Sequence, residues 1–174
     1  MNFLIYPFMA LAALGLVLSI IVHIASLFGL PLDLPFNAMS LHTGIFVVWF
    51  PAVIVAYPIT RDVPRRDQWR AMLRGCPDWL RYLAYGFFAY AIVNFFLFFT
   101  GQIGTATSSI GETPGGIVRG FSGHWMVFYC MAFAIFYSAL QREKLGLVRR
   151  CPQGHQVSLS AKYCEKCGET ILER

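Results

Sequence analysis

Residues 2–29 read NFLIYPFMALAALGLVLSIIVHIASLFG, an apolar run in which His23 is the one side chain that titrates near neutral pH. Coiled as an α-helix at about 1.5 Å per residue, the run crosses the roughly 30 Å hydrocarbon core of a bilayer. It lacks a basic leading region, and its apolar part is too long for a secretory signal. The expectation is therefore an uncleaved transmembrane helix.

Three further runs repeat the pattern, so helices are expected at about 3–29, 41–59, 80–100 and 121–140. Hydrophobic residues make up 57% of the 174 positions and charged residues only 13%, about half the charge of a soluble domain. The fold class read from this is an all-α integral membrane protein: a four-transmembrane-helix bundle with a small C-terminal zinc ribbon. The expected organisation is a membrane domain over 1–141, a linker over 142–150 and a ribbon over 151–174. Pro51 falls near the middle of the second run and is expected to kink it. Asn94 is a lone amide in the third and is expected to bond a neighbouring helix.

The connections carry the charge. Arg61, Arg65, Arg66, Arg70, Arg74 and Arg81 lie together after the second run, and Arg142, Lys144, Arg149, Arg150, Lys162, Lys166 and Arg174 follow the fourth. Only Arg119 stands apart. Such clustering marks loops retained in the cytoplasm rather than a nucleic-acid face, so no nucleic-acid partner is expected despite the net charge of +5. With four crossings, both basic segments lie inside only if the N-terminus does too. The expected location is the cytoplasmic (inner) membrane of a bacterium, multi-pass, with both termini inside and the lipid bilayer as a partner. Within the first basic segment Trp69, Met72, Leu73 and Cys76 recur at helical spacing. Residues 63–75 are expected to form a short amphipathic helix on the inner surface, with a solvated basic loop as the alternative. Residues 101–120, built largely of Gly, Thr and Ser, are expected as a long loop with a turn at Thr113-Pro114-Gly115-Gly116. Ser122 is expected to cap the fourth helix, with His124 in its first turn.

The tail holds Cys151-Pro-Gln-Gly-His155 and Cys164-Glu-Lys-Cys167-Gly168. Three sulfur donors and one imidazole in two short knuckles suit tetrahedral zinc. Cys-x-x-Cys lets both sulfurs reach one ion, and Gly154 and Gly168 relieve the chain where it curls. A disulfide pair belongs to cysteine-dense secreted domains and fits a short basic membrane tail poorly. Iron is the rival metal, and the His donor argues against it. With few apolar residues, the tail must draw its folding free energy largely from the metal. This segment resembles the small zinc ribbons that end many bacterial proteins, whose first knuckle carries Cys-Pro and whose second carries Cys-x-x-Cys-Gly. The likeness covers residues 151–174, and His155 stands one residue beyond the expected second Cys. The membrane part resembles no family. A closed four-ligand zinc site holds shape rather than performing chemistry, so a non-enzymatic adaptor or regulatory subunit is expected, binding a cytosolic or membrane protein through the ribbon. A homo-oligomer is compatible with this reading.

The other histidines suggest a second function. In the expected topology His23, His42 and His124, from three helices, share one outer-leaflet layer. Three imidazoles there can bind a second transition metal, or two can ligate haem b with Arg119 on a propionate, for electron transfer or metal handling. Alternatively each bonds its own neighbour, or they relay protons. No carboxylate accompanies them in the membrane, which disfavours a di-iron site and acid–base hydrolysis.

Overall fold

The computed structural model describes residues 2–28, 30, 37–61, 63–104, 114–142, 145, 149–157 and 161–171. After a 3-10 turn at Asn2–Leu4 come α1 (Ile5–Phe28), α2 (Ser40–Thr60), a second 3-10 turn (Arg65–Asp67), α3 (Gln68–Met72), α4 (Asp78–Gly104) and α5 (Pro114–Arg142). Two short strands follow, β1 (Arg149–Arg150) and β2 (Gln156–Val157), paired antiparallel. Four of the helices, α1, α2, α4 and α5, are long and apolar enough to span a membrane, as the apolar runs led one to expect.

The bundle is built around α5. About 61% of its spanning segment is buried, against 33% for α1, 22% for α2 and 17% for α4, so α5 is the central post and α4 the most lipid-exposed helix. Its main interfaces are with α1, α2 and α4, and α1 also packs on α2. The residues on α5 explain its place. Ser122, Gly123, Cys130, Ala132, Ala134 and Ser138 are all buried and small, which lets neighbouring helix backbones approach closely in a medium where apolar burial alone gives no preference. Large side chains, Trp125 and Phe136 among them, are buried on the same helix, and one is fitted to glycines. Tyr129 is 3% exposed and sits where Gly15 of α1 and Gly44 of α2 leave room, and its Oη donates to the Leu41 carbonyl at 2.8 Å.

Two helix starts differ from expectation. α5 begins at Pro114, inside the stretch read as a loop. Proline fits the first position of a helix, where its missing N–H is not needed, so the turn residues open a helix there. Ser122 is consequently not a cap but lies well inside α5, its hydroxyl donating to the Arg119 carbonyl at 3.3 Å. The helix expected over 63–75 is also short: α3 has five residues, and Leu73, Gly75 and Cys76 turn back into the bundle. The Gly75 N–H donates to Ser138 Oγ at 3.0 Å, and Cys76 Sγ to the Ala134 carbonyl at 3.1 Å. Leu73 and Cys76 pack with Leu80, Ala84, Cys130, Met131 and Ala134. Leu73 and Cys76 thus meet α5, while Trp69 is 49% exposed. α2 runs unbroken through Pro51 and Pro58. Asn94 bonds its neighbouring helix as expected, its Nδ2 donating to the Arg119 carbonyl of α5 at 3.2 Å.

Candidate metal centre

The two knuckles of the tail fold as the donor spacing requires. In the first, the Gly154 N–H donates to the Cys151 carbonyl at 2.8 Å and the Cys151 N–H to the His155 carbonyl at 2.9 Å. In the second, the Gly168 N–H donates to the Cys164 carbonyl at 2.8 Å and the Cys164 N–H to the Glu169 carbonyl at 2.9 Å. Gly154 and Gly168 have φ of 82° and 73°, left-handed values at which glycine carries no steric cost. Each turn is flanked by an antiparallel pair, β1–β2 for the first and a Tyr163–Thr170 bridge for the second. The first knuckle closes one residue sooner. That difference places its second donor at Cys151 plus four, where the longer imidazole makes up the reach.

The four donor atoms of Cys151, His155, Cys164 and Cys167 all lie within 4.8 Å of one another. Cys151 Sγ is 3.6 Å from His155 Nδ1 and 3.7 Å from Cys167 Sγ, and Cys164 Sγ is 3.8 Å from His155 Nδ1. A tetrahedral ion with metal–sulfur bonds of about 2.3 Å and metal–nitrogen bonds of about 2.0–2.1 Å gives edges of about 3.8 Å for S···S and about 3.6 Å for S···N. These three edges match within about 0.2 Å. A disulfide would need sulfurs about 2.05 Å apart, so Cys151 and Cys167 are not bonded to each other. The donor set therefore fits a single ion of zinc size, held through His155 Nδ1.

Electrostatics favour a cation as well. Burial pushes the Cys164 thiol up, but the backbone N–H groups of Lys166 and Cys167 and hydrogen bonds with the Cys167 and Cys151 thiols outweigh it and bring it down to about 6. Once one thiolate forms, its charge opposes the next. A divalent ion removes that conflict. Apolar support is slight: Cys151, Cys164 and Ile171 form the buried cluster, with Val157 and Ala161 packed beside it. At the bundle's end Glu165 lies 4.0 Å from Arg61, at the end of α2.

The three histidines of the bundle have separate partners. His23 Nδ1 is 2.7 Å from Ser122 Oγ and its Nε2 is 2.6 Å from Tyr90 Oη, so both of its nitrogens are engaged. His42 Nδ1 accepts from Trp125 Nε1 at 3.1 Å. His124 packs edge-on against Phe95, with its buried Nδ1 lacking a hydrogen-bond partner among the described residues. Ser122, His124 and Trp125 span about 4.5 Å along α5. At about 100° per residue, His124 points about 160° round that helix from Ser122, whereas Ser122 and Trp125 are only about 60° apart. His23 approaches α5 from α1 and His42 from α2, each engaged with its own partner, while His124 points to α4 on another side of α5. Among the described residues the tail cluster is the only group of three or more donors able to hold an ion, and the expected three-histidine site is not formed. Arg119 lines a cavity of about 450 Å³ with Leu27, Tyr90, Asn94 and Phe98 among others, and none of the three histidines lines it.

What sequence reading missed is the partners of His23. Tyr90 and Ser122 are 67 and 99 residues away along the chain, and nothing local marks either as a partner. Comparison with protein-family models, with curated proteins and with solved structures finds no match to this chain.

Proposed function

We propose that this chain is a non-enzymatic adaptor or regulatory subunit of a bacterial cytoplasmic membrane. Its four helices anchor a zinc ribbon that faces the cytosol and docks a protein partner. The observation that carries the reading is the cluster of four donors, Cys151, His155, Cys164 and Cys167, within 4.8 Å of one another. Four protein donors leave no coordination position for substrate or water, so the ion serves structure rather than hydrolysis. Zinc is favoured over iron by the mixed sulfur–imidazole set. The cytosolic assignment rests on the basic segments after α2 and α5 and on the need of a zinc-thiolate site for a reducing compartment. The exposed ring of Tyr163 and the exposed Lys162 and Lys166 give the ribbon a mixed aromatic and basic face suited to a protein surface.

The redox alternative, with haem or a second metal on His23, His42, His124 and Arg119, loses its geometric basis because each imidazole has separate neighbours.

The test is site-specific photo-crosslinking in cells from Tyr163 on the ribbon. A discrete cytosolic adduct that disappears in Cys164→Ser supports the adaptor reading. Crosslinks confined to the periplasm, or a pattern unchanged when the ligand is lost, oppose it.

A further inference from the structure

A second cavity lies at the end of the bundle that carries the arginines. It has a volume of about 300 Å³ and is lined by Arg70, Arg74, Asp78, Arg81, Tyr82 and Tyr85. Arg70 and Arg74 are four residues apart, at α3 and the turn that follows it, and so project from one side. Asp78, Arg81, Tyr82 and Tyr85 recur at helical spacing on one face of the first two turns of α4. The cavity is the corner between these two faces.

Three features point to an anionic occupant. Three guanidinium groups face a single carboxylate, Asp78, which pairs with Arg81. Arg70 and Arg74 have no acidic partner among the described residues. The Nε of Arg81 is buried and has no hydrogen-bond acceptor among the described residues, so this guanidinium keeps an unused donor. The corner is also held in place. Leu73 and Cys76 are buried beneath it, and the Gly75 N–H is bonded to Ser138, so the arginines project from a fixed turn. A cationic site of this kind spends little on ordering its own backbone when a ligand arrives.

The surroundings say which anion. α4 is the most lipid-exposed helix, and Tyr82 and Tyr85 are 74% and 44% exposed at its start. Amphipathic rings at that level belong to the membrane interface, where lipid phosphates lie. Basic pockets beside spanning helices are suited to phosphate-bearing headgroups. We propose that this corner binds the phosphodiester of an anionic phospholipid, with Arg70, Arg74 and Arg81 on the phosphate and the acyl chains along the exposed face of α4. The Asp78 carboxylate lowers the local charge, which suits a phosphodiester monoanion better than a free phosphate dianion.

The full-length protein in detergent, probed by native mass spectrometry with added phosphatidylglycerol, cardiolipin or phosphatidylcholine, tests the proposal. Phosphatidylglycerol and cardiolipin adducts should persist and phosphatidylcholine adducts should not. The double variant Arg70→Gln/Arg74→Gln should lose about thirtyfold in anionic-lipid affinity, at roughly a fivefold contribution from each charge. Arg65→Gln/Arg66→Gln removes the same charge from the same segment outside the cavity and should keep the adduct. Equal loss in both double variants would show diffuse attraction to basic residues and overturn the site. Equal retention of phosphatidylcholine would overturn the anionic preference, and full displacement by millimolar inorganic phosphate would overturn the lipid assignment. Unchanged metal content and unfolding midpoint in the Arg70→Gln/Arg74→Gln protein ensure that a lost adduct reports the site.

Discussion

The ring of Tyr129 lies so close to Gly15 that a β-carbon there would overlap its Cδ1 and Cε1 atoms. On the other side a β-carbon at Gly44 would come within 2.5 Å of the phenol oxygen. One tyrosine of the central helix is therefore keyed into both α1 and α2. Gly15→Ala should destabilise the bundle by about 1–3 kcal/mol through overpacking. Thermal unfolding in detergent checks this. Because the two residues touch, Gly15→Ala and Tyr129→Leu should be strongly non-additive, the second relieving part of the first. Additive losses would mean that the slot is not what sets the helix packing.

The loop between α2 and α4 is pinned from beneath. Burial pushes the Cys76 thiol up, against opposing effects of Arg81 and of its hydrogen bond with the Ser138 backbone, leaving it at about 11. At pH 8 Cys76 should therefore stay protonated and resist alkylation in the folded protein, then react once denaturant is added. A thiol pKa raised in the folded state favours folding below the ordinary thiol value of about 8.5, and the benefit disappears as pH climbs toward 11. Peptide mapping of the alkylated positions is the measurement. Rapid modification of native Cys76 at pH 8 would contradict the packing.

His23 ties three helices together, bridging Tyr90 of α4 and Ser122 of α5 from its place on α1. His23→Ala removes one hydrogen bond from Tyr90, which is 39% exposed, and one from Ser122, which keeps its bond to the Arg119 carbonyl, so it should cost about 1–3 kcal/mol. His42→Ala and His124→Ala should be milder. None of the three should change the metal content of the purified protein. Loss of bound metal or of a Soret band in any of them would revive the outer-site reading.

Orientation has its own test. A cysteine at Asn37, just before α2, should react with an impermeant thiol reagent added to intact cells. One at Gln68, among the arginines, should react only after the membrane is opened. The reverse pattern would contradict the placement of the ribbon in the cytosol.

How much of this was legible beforehand depends on the range of the interaction. Each spanning helix is announced by its own apolar run, because the bilayer imposes length and composition on every crossing separately. The metal cluster is nearly as local: Cys151 and His155 belong to one turn, Cys164 and Cys167 to the next, and donor chemistry supplies the link between them. Pro114 misled because a proline followed by glycines reads equally as a turn or as the opening of a helix. The arrangement of helices around α5 was not legible, since it depends on which small residues meet, as in Gly15 with Tyr129 and Gly75 with Ser138. The histidines show both sides of this. Their common depth follows from counting residues along helices, but their separation follows from which helix stands at the centre.

The central claim is that Cys151, His155, Cys164 and Cys167 hold one zinc ion that keeps the tail folded. Elemental analysis of the full-length protein, purified in detergent without added metal and compared with Cys164→Ser, tests it most directly. One zinc per chain in the unaltered protein, little or none in the variant, and a variant tail cut rapidly by protease are the predicted results. Zinc-free protein with a protease-resistant tail, or an ion other than zinc at one per chain, would contradict it.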